Sequence, residues 1–103
     1  MQVMTTPPTS LNLENIALAA LARREYSRLE LTAKLEKAGG EPLAIQAVLD
    51  DLQSRGWQSD ARFSELVCHV RAPRFGLQRI VHELRQKGIE DALIQESMLE
   101  LKA

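Results

Sequence analysis

Residues 27–52 laid on residues 76–101, an offset of 49, bring SRLELTAKLEKAGGEPLAIQAVLDDL onto GLQRIVHELRQKGIEDALIQESMLEL. Leu35 meets Leu84, Gly39 meets Gly88, Glu41 meets Glu90, Ile45-Gln46 meets Ile94-Gln95 and Leu52 meets Leu101. Other positions match in kind: Leu31 with Ile80, Leu49 with Met98 and, upstream, Leu18 with Val67, Leu21 with Val70 and Tyr26 with Phe75. Two unrelated amphipathic helix pairs would share apolar spacing by chance. They would not also share glycine stops and an Ile-Gln pair. A period of this length is that of helical repeat arrays, in which each unit buries too little apolar surface alone and neighbours stack to complete it. Such arrays ordinarily need about three units, and this sequence is expected to hold two.

The helical reading follows from local signals. Leu11 to Arg24 is rich in Ala and Leu and apolar nearly all round, which predicts a buried first helix with Arg23 and Arg24 at its C-terminal end. Ser27 and Glu30 have the spacing of a capping box, and Leu31, Leu35 and Ala38 give the second helix its core face up to Gly39-Gly40. Pro42 suits a first helical position, followed by Ile45, Val48, Leu49 and Leu52 at helical spacing up to Arg55-Gly56. Ser59 and Asp60 are cap candidates for a fourth helix with Phe63, Leu66, Val67 and Val70 as its apolar face. Pro73 and Gly76 end it, a fifth carries Leu77, Ile80, Val81 and Leu84 up to Gly88, and a sixth runs from about Glu90 with Ile94, Met98 and Leu101. No stretch alternates with period two. The expected fold is all-α: tandem three-helix repeats stacked into an elongated helical array, with residues 1–10 a flexible tail, 11–57 the first repeat and 58–103 the second.

Composition narrows the function classes. The single cysteine, Cys68, excludes an intramolecular disulfide and a multi-thiolate metal site. It lies one residue from the predicted apolar face, as a small buried hydrophobe does. His69 and His82 lack the spacing of a metal-ligand motif, and no phosphate loop or nucleophile elbow is present, so no catalytic residue, metal or cofactor is assigned. No apolar run approaches the roughly 20 residues of a membrane span, and the start lacks the pattern of a secretion signal, so a cytoplasmic protein is expected.

Charge is unevenly placed. The net charge is −1, yet residues 61–88 hold Arg62, Arg71, Arg74, Arg79, Arg85 and Lys87 against only Glu65 and Glu83. On a helix from Leu77, Arg79, His82 and Gln86 form a polar stripe away from the apolar side. Such a surface suits an anionic partner, since arginine binds phosphate and carboxylate through planar paired donors. The plain alternative is a solvated helix face. Arg23 and Arg24 form a second candidate, for which the helix dipole is an equally good explanation. Tyr26 and Phe75 could stack on a base, though an aromatic wedge at the same joint in each unit accounts for them more simply. Trp57 reads as a plug between units.

The runs LARREYSRLELTAKLEKAG, VLDDLQSRGWQSDARFSE and RFGLQRIVHELRQKGI, in this order, resemble RecX, the family of regulators of the RecA recombinase. The resemblance extends from about Leu18 to Leu101. It implies a negative regulator that binds the RecA–single-stranded-DNA filament, limits its ATPase and strand-exchange activity in DNA repair and the SOS response, and also touches single- or double-stranded DNA. The family pattern continues into a third three-helix unit, which this sequence is expected to lack. On this reading Arg62, Arg71, Arg74, Arg79, Arg85, Lys87, Arg23 and Arg24 are the candidate contacts to RecA or DNA. A rival reading is a DNA-binding module of helix-turn-helix type, with Gln78 and Arg79 as its base-reading pair.

Overall fold

The computed structural model describes residues 9–102 and holds six helices: α1 (Ser10–Leu21), α2 (Arg28–Lys37), α3 (Pro42–Ser54), α4 (Asp60–Arg71), α5 (Leu77–Gln86) and α6 (Asp91–Lys102). Most of the expected N-terminal tail, residues 1–8, lies outside the described residues. Thr9 accepts from the Asn12 backbone N–H at 3.2 Å and caps α1. The molecule is elongated, 60 × 26 × 22 Å.

Each helix start has a local cause. At α2 both halves of the capping box are made: Ser27 Oγ accepts from Glu30 N at 3.1 Å, and Ser27 N donates to Glu30 Oε1 at 3.0 Å. Pro42 opens α3, where its missing N–H costs nothing, and Ser59 caps α4 by accepting from Arg62 N. Helices α2 and α5 stop in the same way. Gly39 and Gly88 adopt positive φ, and the following N–H returns to the carbonyl of Leu35 (2.9 Å) or Leu84 (3.1 Å).

The repeat is visible in these boundaries. Helices α2 and α5 begin 49 residues apart, as do α3 and α6, whereas α1 and α4 begin 50 apart. The α4–α5 connection is one residue shorter than the α1–α2 connection, so the upstream register slips. Leu13 then corresponds to Phe63 and Ala17 to Val67. The expected pairing of Leu21 with Val70 fails for this reason, and Val70 is 54% exposed.

Two cores result, one per unit. Leu13, Ala17, Leu31, Leu35, Ile45, Leu49 and Leu52 fill the first, and Phe63, Cys68, Ile80, Leu84, Ile89 and Ile94 the second. A fully buried Leu or Ile contributes roughly 1.5–3 kcal/mol of transfer free energy. The close packing of helix on helix stays within each unit. Three expectations are corrected. Helix α1 is buried along one stripe rather than all round, with Leu11 exposed. Helix α4 turns Ser64 and Cys68 inward in place of Leu66 and Val70, because small side chains let it approach α6, where Ser64 Oγ and Ser97 Oγ are 2.7 Å apart. Trp57 plugs nothing and is 55% exposed.

Candidate interaction surface

The eight candidate cations do not form one open patch. Arg62 Nε meets Glu25 at 3.0 Å, Arg71 Nε meets Glu83 at 3.2 Å, Arg85 Nε meets Asp91 at 3.1 Å and Lys87 Nζ meets Glu30 at 3.1 Å. Arg24 also meets Glu30, at 3.3 Å. Among the described residues, Arg23, Arg74 and Arg79 have no carboxylate partner. Arg24, Arg71 and Lys87 border one groove, floored by Phe63, Leu66, Val67 and Val70. Arg62 borders a neighbouring groove, and Arg85 a third with Gln78 and His82. The expected exposed stripe of Arg79, His82 and Gln86 on α5 is present.

Two of these five ion pairs form the joint between the units. Arg62 and Lys87 of the second unit reach Glu25 and Glu30 of the first. Beside them Asp60 Oδ1 accepts from Arg28 N at 2.8 Å and from Gln58 Nε2 at 2.9 Å, while Gln58 Nε2 also donates to the Tyr26 carbonyl at 3.3 Å. Gln58 is 2% exposed, so this polar tie is buried and satisfied. The Leu29 side chain lies against Gly88. Burial opposes ionisation of Glu30, yet hydrogen bonds from Arg24, the Ser27 N–H and Lys87 outweigh it and hold the carboxyl below the usual range. Burial likewise opposes charge on Arg24, but its bonds to Glu30 and its contact with Tyr26 keep its pKa raised.

Tyr26 and Phe75 pack on the cores of their own units and each carries a guanidinium on its open face: Arg24 at 3.6 Å from the Tyr26 centroid, Arg79 at 4.2 Å from that of Phe75. The aromatic wedge at the same joint of each unit is the arrangement found. The joint roles of Gln58, Glu25, Glu30 and Asp60, the last named only as a cap candidate, were not read from the sequence, because their partners across the joint are distant in the chain. The repeat itself held a signal. At the offset of 49, Glu25 corresponds to Arg74 and Glu30 to Arg79, so both acids by which the first unit holds the second become arginines in the second.

Burial pushes the Cys68 thiol up, partly opposed by hydrogen bonds with Ser97 and Ser64, which favours the protonated form. Among the described residues no group of His, Cys, Asp and Glu could hold a metal ion, and no helix is long and apolar enough to cross a membrane.

The arrangement is therefore two polar-jointed three-helix units with three arginines, Arg23, Arg74 and Arg79, that have no carboxylate partner among the described residues. Residues 15–52 match the family model described as RecX, first three-helix domain, and residues 59–98 match that described as RecX, second three-helix domain. The chain belongs to the RecX family. It is 51% identical over 85 residues to the regulatory protein RecX of Leptothrix cholodnii, covering 82% of this chain and 54% of that protein. It is 43% identical over 100 residues to that of Herbaspirillum seropedicae, covering 97% and 64%. For the RecX of Ralstonia nicotianae the figures are 38% over 100 residues, 97% and 63%. The chain thus spans between about half and two thirds of the length of these RecX relatives. A crystal structure of regulatory protein RecX superimposes with a TM-score of 0.83 at 17% identity, covering 88% of this chain and 47% of that one, a likeness of fold. These relatives are named regulatory proteins.

Proposed function

We propose that the chain is a non-enzymatic, cytoplasmic negative regulator of the RecA recombinase, which binds the RecA–single-stranded-DNA filament and limits its ATPase and strand-exchange activity. The observation that carries this reading is the match of both three-helix domains to RecX regulators. The elongated shape supports it, since 60 Å of jointed helical array is long enough to contact more than one protomer of a filament. A rod that bridges protomers favours the filament state it fits and slows the cycle through the others. Arg74 and Arg79, exposed and without carboxylate partners, are the contact residues assigned first; Arg23 is the third open cation. The paired cations Arg62, Arg71, Arg85, Lys87 and Arg24 are secondary contacts, reached only by exchanging a carboxylate for the partner's anion. Adding the chain at one equivalent per RecA protomer lowers the DNA-dependent ATPase rate; an unchanged rate refutes the proposal.

A second reading rests on Gln78 and Arg79, which are exposed in the first turn of α5 as a recognition helix of helix-turn-helix type requires. It predicts tighter binding to a selected duplex site than to random duplex at both low and high salt. Equal affinities discard it.

A further inference from the structure

We infer that Asp60 is a positioning residue: it fixes the angle between the two three-helix units and, through that angle, the fit of the rod to a filament, the second part of which rests on the reading of the chain as a regulator of the RecA filament. Asp60 is the first residue of α4 and Arg28 the first of α2. The N–H of a first helical residue has no partner inside its own helix. That of Arg28 donates to Asp60 Oδ1 at 2.8 Å. Within the first unit Ser27 Oγ accepts from Glu30 N and Glu30 Oε1 from Ser27 N, so a carboxylate of the second unit adds a third bond to the cap of α2. Two helix N-termini thus converge on one carboxylate, and both favour a negative charge there. Gln58 Nε2 donates to the same oxygen at 2.9 Å and to the Tyr26 carbonyl at 3.3 Å, which braces Asp60 against the connection that precedes α2.

The backbone shows where such a bond is needed. Beyond α3 the chain stays anchored as far as Gln58, since Trp57 N and Gln58 N both donate to the Leu52 carbonyl. Ser59 alone, in extended backbone, stands between that stretch and α4, so rotation about its torsions swings the second unit. Close helix packing stays within each unit and does not oppose the swing. Arg62 and Lys87 oppose it weakly: they reach Glu25 and Glu30 through long side chains that are 44% and 39% exposed, and exposed pairs contribute little. The Asp60 carboxylate stands one methylene from the α4 backbone and meets a backbone N–H of α2, so only one short side chain separates the starts of the two helices. Both partners of this bond belong to the two units present, whatever adjoins α5. A rod that bridges filament protomers meets its second site at an effective concentration set by how well the first contact aims the other unit. Asp60 supplies that aim from inside the joint.

The test reads the relative orientation of the units from residual dipolar couplings of backbone N–H groups, and affinity for RecA filaments on single-stranded DNA and for the bare DNA. In Asp60→Ala the couplings within each unit should still fit that unit, while the two units no longer share one alignment. Filament affinity should fall about tenfold or more, with no loss on bare DNA. Asp60→Asn keeps the oxygen that accepts both bonds and should keep the shared alignment and the filament affinity. The same bond can be removed from the other side, which decides the matter if Asp60→Ala does not fold. Proline suits a first helical position and lacks the N–H, so Arg28→Pro should lose the shared alignment and Arg28→Ala retain it. Arg62→Gln/Lys87→Gln should retain it as well. A shared alignment kept in folded Asp60→Ala or Arg28→Pro, or lost in Arg62→Gln/Lys87→Gln, refutes the role of Asp60 in the joint. Filament affinity unchanged where the alignment is lost, or an equal loss on bare DNA, refutes its role in recognition. If the unsubstituted chain does not bind the filament, the reading as a RecA regulator falls, and the couplings alone decide what Asp60 does.

Discussion

Gly88→Ala tests how the two units are held together. Gly88 has φ of +77°, a region where an L side chain costs roughly 1–2 kcal/mol. A Cβ built there would also meet Leu29 Cβ at 2.9 Å and Leu29 Cδ2 at 3.1 Å. Leu29 Cβ is tied to the α2 backbone, so rotation of the side chain does not remove that contact and the two units must move apart by a few tenths of an ångström. Gly56 provides the reference: its φ is +80°, and a Cβ there meets nothing within 4 Å. Gly56→Ala is therefore expected to lose about 1 kcal/mol by the backbone term alone. Gly88→Ala should lose that and about 1 kcal/mol more, as overpacking does. Equilibrium denaturation followed by helical circular dichroism gives both values. Replacing Leu29 by Ala in the Gly88→Ala background removes the Cδ2 contact at 3.1 Å but keeps Cβ, and should recover part of the excess. Equal losses for the two glycine variants, or no recovery, would refute the contact across the joint.

Four other outcomes are expected. Glu30 is held below its ordinary pKa of 4.5, so its contribution is complete above that value and is lost as pH falls through the lower folded one; Glu30→Gln should flatten this acid limb of the stability profile. Ser64→Ala leaves Ser97 Oγ without its 2.7 Å partner in a buried place and should cost about 1–3 kcal/mol, with Ser64→Ala/Ser97→Ala costing less than the sum of the single changes in a double-mutant cycle. Cys68, buried and held protonated, should resist an alkylating reagent at neutral pH until denaturant is added; rapid native reaction would show that α4 opens locally. On bare single-stranded DNA, three open cations give a slope of log K against log salt of about −2, whereas release of all eight would give about −6.

How much of this was legible in the sequence depends on the range of the interaction. Caps, glycine stops and the repeat are short-range or periodic, and Ser27, Glu30, Pro42, Gly39 and Gly88 act as their types and spacings indicate. The face of α4 was misjudged because hydrophobicity ranks Leu66 and Val70 above Ser64 and Cys68, while helix-to-helix approach favours the smaller pair. Trp57 was misjudged in the same manner: size suggested a plug, but the space between the units is filled by Gln58 and Asp60. Nothing in local pattern marks a buried glutamine that donates to a carbonyl of the other unit, that of Tyr26.

The candidate site shows why charge along a sequence is a poor measure of charge on a surface. Residues 61–88 are strongly cationic as a string, yet four of their six cations have carboxylates within 3.2 Å, and only Glu83 among those partners comes from the string itself. Exposed pairs of this kind contribute about 0–1 kcal/mol each to stability, so their larger effect here is to fix orientation and to withdraw cations from competition for an external anion. What remains is selective. Two arginines stay open, and they stand where the preceding unit carries the acids of its joint. The same scaffold thus carries the acids of the joint in one unit and arginines at the corresponding positions of the next.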